Sequence, residues 1–165
     1  MRRYLFIIFF LFANSISAQI KNPEFKLMLD SIYELTAPLI SVADLIKMDK
    51  QNMYILDTRE EEEYDVSHLK NARHVGYIWF DMRTIYDIPM DANVVLYCTV
   101  GSRSEKIAGK LLAAGYKNVY NLYGGIFEWI NERNPVYKRN GVQTSEIHTY
   151  DKALSRWVDR GSKVN

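Results

Sequence analysis

The chain has 165 residues, 48% of them hydrophobic, which suits one compact domain with a sizeable core. Its 21 Lys and Arg against 20 Asp and Glu give a formal charge of +1, without the basic excess that binding nucleic acid through bulk charge requires. Charged residues at 25% and aromatics at 13% exclude a disordered chain, and a single Cys excludes an internal disulfide framework or a Cys-based zinc cluster.

Arg2 and Arg3 precede an apolar and aromatic run from Tyr4 to Ala13, and Asn14, Ser15, Ile16 and Ser17 follow, ending on the small Ala18. The run is about half of what a membrane-spanning helix needs. Residues 1–18 are therefore expected to be a secretory signal peptide, cleaved near Ala18. Its removal takes away two arginines and no acid, moving the formal charge to −1. The mature protein is expected to be periplasmic or secreted, with no stable membrane insertion.

Residues 19–36 read as a helical extension: Phe25, Met28, Leu29, Ile32 and Leu35 recur near helical spacing, and Pro23 suits a first turn. Pro38 ends that helix. Leu39-Ile40 reads as a short strand, and Ser41 with Asp44 as a cap for a helix through about Met48. Met53 to Leu56, ending in Asp57, is a strand, and Glu60 to Glu63 reads as a solvated helix start. His74-Val75 suggests another short strand, and Trp79 to Tyr86 a helix before Pro89. Val94 to Tyr97 is a continuous apolar run, the mark of a strand covered on both faces. A helix carrying Ile107, Ala108, Leu111 and Leu112 follows and stops at Gly115. Val119 to Leu122 is a further strand, and Ile126 to Ile130, with Trp129 expected in the core, a short helix. Strands alternating with helices predict an open parallel sheet flanked by helices on both faces, over residues 37–139. Residues 140–165 lose the rhythm and are expected to be a loosely packed tail with one helical turn.

The chemistry gathers at Cys98, at the carboxyl end of the most apolar strand and just before a helix. Ligands of open α/β sheets bind at that edge. A short loop with Gly101 can turn successive N–H groups inward, and these, with the positive end of the helix, favour a negative sulfur. Arg103 adds a guanidinium at the rim. An encircled thiolate beside a cation suits attack on an anionic substrate and storage of the product on sulfur.

Three elements resemble the rhodanese family. Cys98-Thr99-Val100-Gly101-Ser102-Arg103-Ser104 is similar to its active loop. Asp57-Thr58-Arg59-Glu60, with Glu63-Tyr64 and His68, is similar to its strand-end element. Leu122-Tyr123-Gly124-Gly125 with Trp129 is similar to the turn before its last helix. Ser67 and Asn71 stand where the family usually has glycine. The resemblance implies a rhodanese-like fold and sulfur transfer. Cys98 would take a sulfane sulfur from thiosulfate or a similar anion and pass it to cyanide or a thiol. Thr99, Val100, Gly101 and Ser102 would bind substrate mainly through backbone N–H groups, and Arg103 through its side chain. Asp57, Arg59 and His68 are expected to support the site without touching substrate, and the Glu60 to Glu63 run to be a wet surface. No metal, organic cofactor or nucleic-acid partner is implied. The alternatives are a sulfur carrier or binding module without turnover, and, more remotely, a phosphatase or arsenate reductase. Four residues separate Cys98 from Arg103, one fewer than in Cys–Arg phosphatases, and a resolving thiol for arsenate is lacking.

Overall fold

A computed structural model describes residues 20–164. The expected signal peptide lies outside the described residues. Helix α1 (Pro23–Ile32) starts where the Asn22 side chain accepts the N–H groups of Glu24 and Phe25, a cap worth about 1 kcal/mol. It ends three residues short of the predicted Leu35, because Tyr33 turns extended and Leu35 has a φ of 54°. Strand β1 (Leu39–Ile40) leads into α2 (Val42–Lys47), where Ser41 Oγ accepts the N–H of Asp44 at 3.0 Å. Then follow β2 (Met53–Asp57), α3 (Glu61–Val66), β3 (Arg73–His74), β4 (Asn93–Tyr97), α4 (Ser102–Ala113), β5 (Asn118–Leu122) and α5 (Gly125–Asn131).

The five strands form one parallel sheet in the order β1-β5-β4-β2-β3. Strand β4 lies at its centre, and Val94, Val95, Leu96 and Tyr97 are all fully buried. Alternate side chains feed two separate cores, as the two-residue period of a strand dictates. Val95 and Tyr97 join α1, α2 and α5, while Val94 and Leu96 join Ile107, Ala108 and Leu111 of α4. Helices therefore cover both faces, as the strand–helix alternation predicts. Trp129 is half-buried at a core edge, with its Nε1 donating to Pro135 O.

Two expectations fail. The predicted helix over Trp79 to Tyr86 is only a 3-10 turn, Met82–Ile85. Trp79 and Tyr86 are 88% and 85% exposed and Ile85 alone is buried in that turn, so no apolar stripe exists to hold a longer helix. The C-terminal segment is not loosely packed. It supplies strands β7 (Gln143–Thr144), β8 (Glu146–His148) and β9 (Ser162–Val164), of which β7 pairs with β6 (Val136–Tyr137) just before the segment, while the expected helical turn is present as a 3-10 turn over Leu154–Trp157. Strands β8 and β9 pair in parallel, and Ile147, Trp157 and Val158 sit in the main core. Trp157 stacks on Phe25 of α1 with 5.5 Å between centroids.

On α5, burial raises the Glu128 carboxyl to about 7, helped by the negative charge of Glu132 and Asp159 and opposed by Lys21. Its folded pKa lies above the unfolded one, so the native state holds more protons between about pH 4.5 and 7 and stability falls as pH rises through that window. The expected loss is of order 2 kcal/mol after allowance for partial solvation. Glu128→Gln should flatten this fall in urea unfolding compared at pH 5 and 7.5. Equal pH slopes in the two proteins would contradict the assignment.

Candidate active site

The chain leaves β4 at Tyr97 and turns through Cys98 to Gly101 before α4 begins. Gly101 caps α4 with φ 105°, a left-handed angle, and a Cβ there would lie 1.9 Å from Tyr33 Oη. Only glycine fits. Cys98 is fully buried, and its Sγ accepts the Gly101 N–H at 3.1 Å.

Every carbonyl of this turn is held from outside it. Ile126 N–H and Phe127 N–H, at the start of α5, donate to Cys98 O at 2.9 Å and Thr99 O at 3.2 Å. Tyr33 Oη donates to Val100 O at 2.7 Å and accepts from Gly124 N–H at 3.0 Å. Burial above all keeps that phenol well above its usual range, so it stays protonated and able to donate. Gly101 O accepts from Ser104 Oγ and Asn121 Nδ2, both at 3.0 Å. Gly125 is required for this docking, since a Cβ there would lie 2.4 Å from Cys98 O. With the carbonyls tied to donors outside the turn, the Gly101 N–H bonds the sulfur and further N–H groups stand without acceptors. Those of Ser102 and Arg103 open α4, so they lack intrahelical acceptors, and no other acceptor takes them among the described residues.

A cavity of about 110 Å³ lies over Cys98, lined by Thr99, Val100, Ser102, Arg103, Tyr150 and Leu154 as well. Arg103 faces it but is committed elsewhere. Its Nη1 and Nη2 donate to Glu63 Oε2 and Oε1 at 2.7 and 2.8 Å, and Nη2 also reaches Thr99 Oγ1 at 2.8 Å. Thr99 Oγ1 donates in turn to Glu63 Oε1 at 2.8 Å. Burial alone would lower the Arg103 pKa, but the Glu63 bonds and the negative charge of Cys98 and Glu63 outweigh it and raise it. Burial would likewise raise the Glu63 carboxyl, but Arg103 and then Arg59 hold it below its usual value. The guanidinium thus braces the turn and presents its field to the cavity.

Glu63 corrects the expectation of a wet acidic surface. Glu61 and Glu62 are exposed, but Glu63 is buried and is the carboxylate that ties Thr99 and Arg103 together. The signal available in the sequence was its place in the Asp57 to His68 element of the family resemblance.

The three expected support residues lie beneath the site and none lines the cavity. Asp57 and Arg59 are both fully buried and joined at 2.6 Å, and Arg59 Nη2 also donates to Ser67 O at 2.6 Å. Burial would lower the Arg59 pKa, but the Asp57 charge and hydrogen bonds more than reverse this. Asp57 pairs in register with Tyr97, one residue before Cys98. Arg59 Nη1 and Ser67 Oγ lack partners among the described residues. His68 stacks on Tyr64 at 3.9 Å, and its Nδ1 lies 3.0 Å from Tyr64 O. Ser67 has φ −171°, extended backbone open to any residue, and Asn71 has φ 62°, which Asn tolerates.

Known proteins are similar to this chain in sequence and in fold. Relatives named tRNA uridine(34) hydroxylase include one from Pectobacterium atrosepticum, 32% identical over 119 residues, covering 65% of this chain and 34% of the relative. Another, from Streptococcus thermophilus, is 40% identical over 86 residues, covering 46% of this chain and 25% of the relative. The chain thus spans about a third or less of the length of these relatives. A solved protein of Bacillus halodurans matches the fold with a TM-score of 0.56 at 23% identity, over 73% of this chain and 89% of that one. A rhodanese-related protein of Thermoplasma volcanium matches with a TM-score of 0.52 at 28% identity, over 60% of this chain and 96% of that one. The Rhodanese-like domain profile matches residues 41–132, which hold Asp57, Glu63, the Cys98 turn and the Gly124-Gly125 dock, so the chain belongs to the rhodanese-like domain family.

Proposed function

We propose that the protein is a sulfurtransferase that moves a sulfane sulfur from thiosulfate, or a similarly small anion, to cyanide or a thiol through a persulfide on Cys98. The observation that carries this reading is a buried Cys98 lining a small cavity, its sulfur bonded by the Gly101 N–H in a turn whose carbonyls are all tied to donors outside it. The Cys98 thiolate attacks the outer sulfur of thiosulfate, a sulfur–sulfur bond forms, and the donor's own sulfur–sulfur bond breaks. Sulfite leaves with that electron pair. The terminal persulfide sulfur carries the negative charge, which the N–H groups of the turn and the start of α4 stabilise. Cyanide then attacks that sulfur, thiocyanate departs, and the thiolate of Cys98 returns. The cycle needs no external oxidant or reductant and no second Cys.

The cavity volume supports a small donor. At about 30 Å³ per water in the liquid, 110 Å³ is the space of three to four waters. The hydroxylation that names the curated relatives fits this chain less well, because a formal charge of +1 offers no basic excess for an RNA backbone. Intact mass after mixing with thiosulfate tests the reading. One added sulfur on Cys98, discharged repeatedly by cyanide as thiocyanate, supports an enzyme. One sulfur without repeated discharge turns it into a carrier, and no sulfur from any sulfane donor refutes both.

Export belongs to the same proposal, supported by Arg2, Arg3 and the apolar run that follows them. Protein recovered from expressing cells should begin at Gln19, and an intact Met1 start would overturn this.

A further inference from the structure

The family profile stops at residue 132, but the cavity over Cys98 is completed by residues beyond it, Tyr150 and Leu154. The segment that carries them is anchored at both ends. On one side β8 pairs with β9, Ile147 and Thr149 are fully buried, and Thr149 N–H donates to Val164 O at 2.9 Å. On the other, Val158 is buried and Trp157 stacks on Phe25.

Between these anchors both wall residues are aimed by specific contacts. Asp151 Oδ1 accepts the Leu154 N–H at 2.7 Å and so opens the 3-10 turn that places Leu154. The Lys163 ammonium donates to Ser155 O at 2.7 Å and pins the same turn to β9. Tyr150 has φ 68°, a left-handed angle that an aromatic residue rarely adopts. Its ring nevertheless lies over Arg103, with Cζ 4.8 Å from the ring centroid, and Arg103 is itself locked on Glu63. A strained residue held against a fixed guanidinium is a positioned one.

We propose that Tyr150 and Leu154 set the size limit of the site, admitting small anions to Cys98 and turning away bulkier molecules. For the identity of the donor this rests on the sulfurtransferase reading, but the wall itself does not. Both ends of the segment sit in the core, at Ile147 and at Trp157 and Val158.

Cys98 is the one Cys in the chain, so alkylation reads access to it without reference to activity. The purified protein is treated with iodoacetamide and, separately, with N-phenylmaleimide, and both rates are followed by intact mass. Tyr150→Ala and Leu154→Ala should each raise the maleimide-to-iodoacetamide rate ratio about tenfold or more, the scale on which a hydrophobic pocket discriminates by size. Tyr150→Phe, which keeps the ring over Arg103, should retain the wild-type ratio. In parallel, the alanine variants should raise kcat/KM for benzenethiosulfonate relative to that for thiosulfate, with cyanide as acceptor. Ratios within about twofold of wild type in both alanine variants, with wild-type circular dichroism, would overturn the proposal. If either alanine variant fails to fold, Tyr150→Leu and Leu154→Val trim the same wall and must move the ratio in the same direction. Should the wild-type protein accept no sulfur from any donor, the sulfurtransferase reading fails while the alkylation ratio still decides the wall.

Discussion

Cys98→Ser should reduce thiosulfate-dependent thiocyanate formation to background, a loss of more than about a thousandfold. A serine oxygen cannot carry the transferred sulfur. The substitution changes little else, because a hydroxyl in the same place can accept the Gly101 N–H that now bonds Sγ at 3.1 Å. The carbonyls of the turn would keep their donors from Tyr33, α4, β5 and α5. The folded variant should therefore be close to wild type in urea unfolding while gaining no sulfur by mass. Retained turnover in the serine variant would remove Cys98 from the mechanism and with it the proposed function.

The largest stability effect is expected at Asp57. Asp57→Ala leaves the Arg59 guanidinium fully buried and without its carboxylate. Removing one partner of such a pair costs about 3–5 kcal/mol, a large share of the 5–15 kcal/mol that holds a typical domain. Asp57 Oδ1 also accepts the Arg59 N–H at 2.9 Å, so the turn leaving β2 loosens as well. Urea unfolding should show the loss as a lower midpoint. The double variant Asp57→Leu with Arg59→Met should recover much of it, since no unpaired charge remains. A loss below about 1 kcal/mol in the single variant would mean that Ser67 O and the Tyr97 ring, 5.6 Å from the guanidinium, suffice for Arg59.

How much of this was legible depended on how local the cause was. Strand β4 announces itself because burial on both faces requires apolar residues in succession. The Cys98 turn is legible because the left-handed residue that caps α4 demands glycine at 101. Glu63 was misread because its partner Arg103 lies 40 residues away, and a run of acids looks solvated until that partner is placed. The helix expected over Trp79 to Tyr86 was misread because only Ile85 of its turn finds a core to pack on. The wall over Cys98 was invisible for a related reason. Strands β8 and β9 are three residues each, their pairing is not local, and Tyr150 matters through Arg103.

The contact between α1 and the 3-10 turn over Leu154–Trp157 also bears on the order of assembly. Residues joined there are as far apart as Glu24 and Arg156, 132 positions along the chain, and the loop they close carries one of the largest entropic costs in the fold. The sheet around β4 closes much shorter loops and is favoured to form first. On a growing chain the Cys98 turn can take shape while Tyr150 and Leu154 are still unmade. The cavity over Cys98 is then complete only once Tyr150 and Leu154 have docked, which makes its outer wall a late part of the fold.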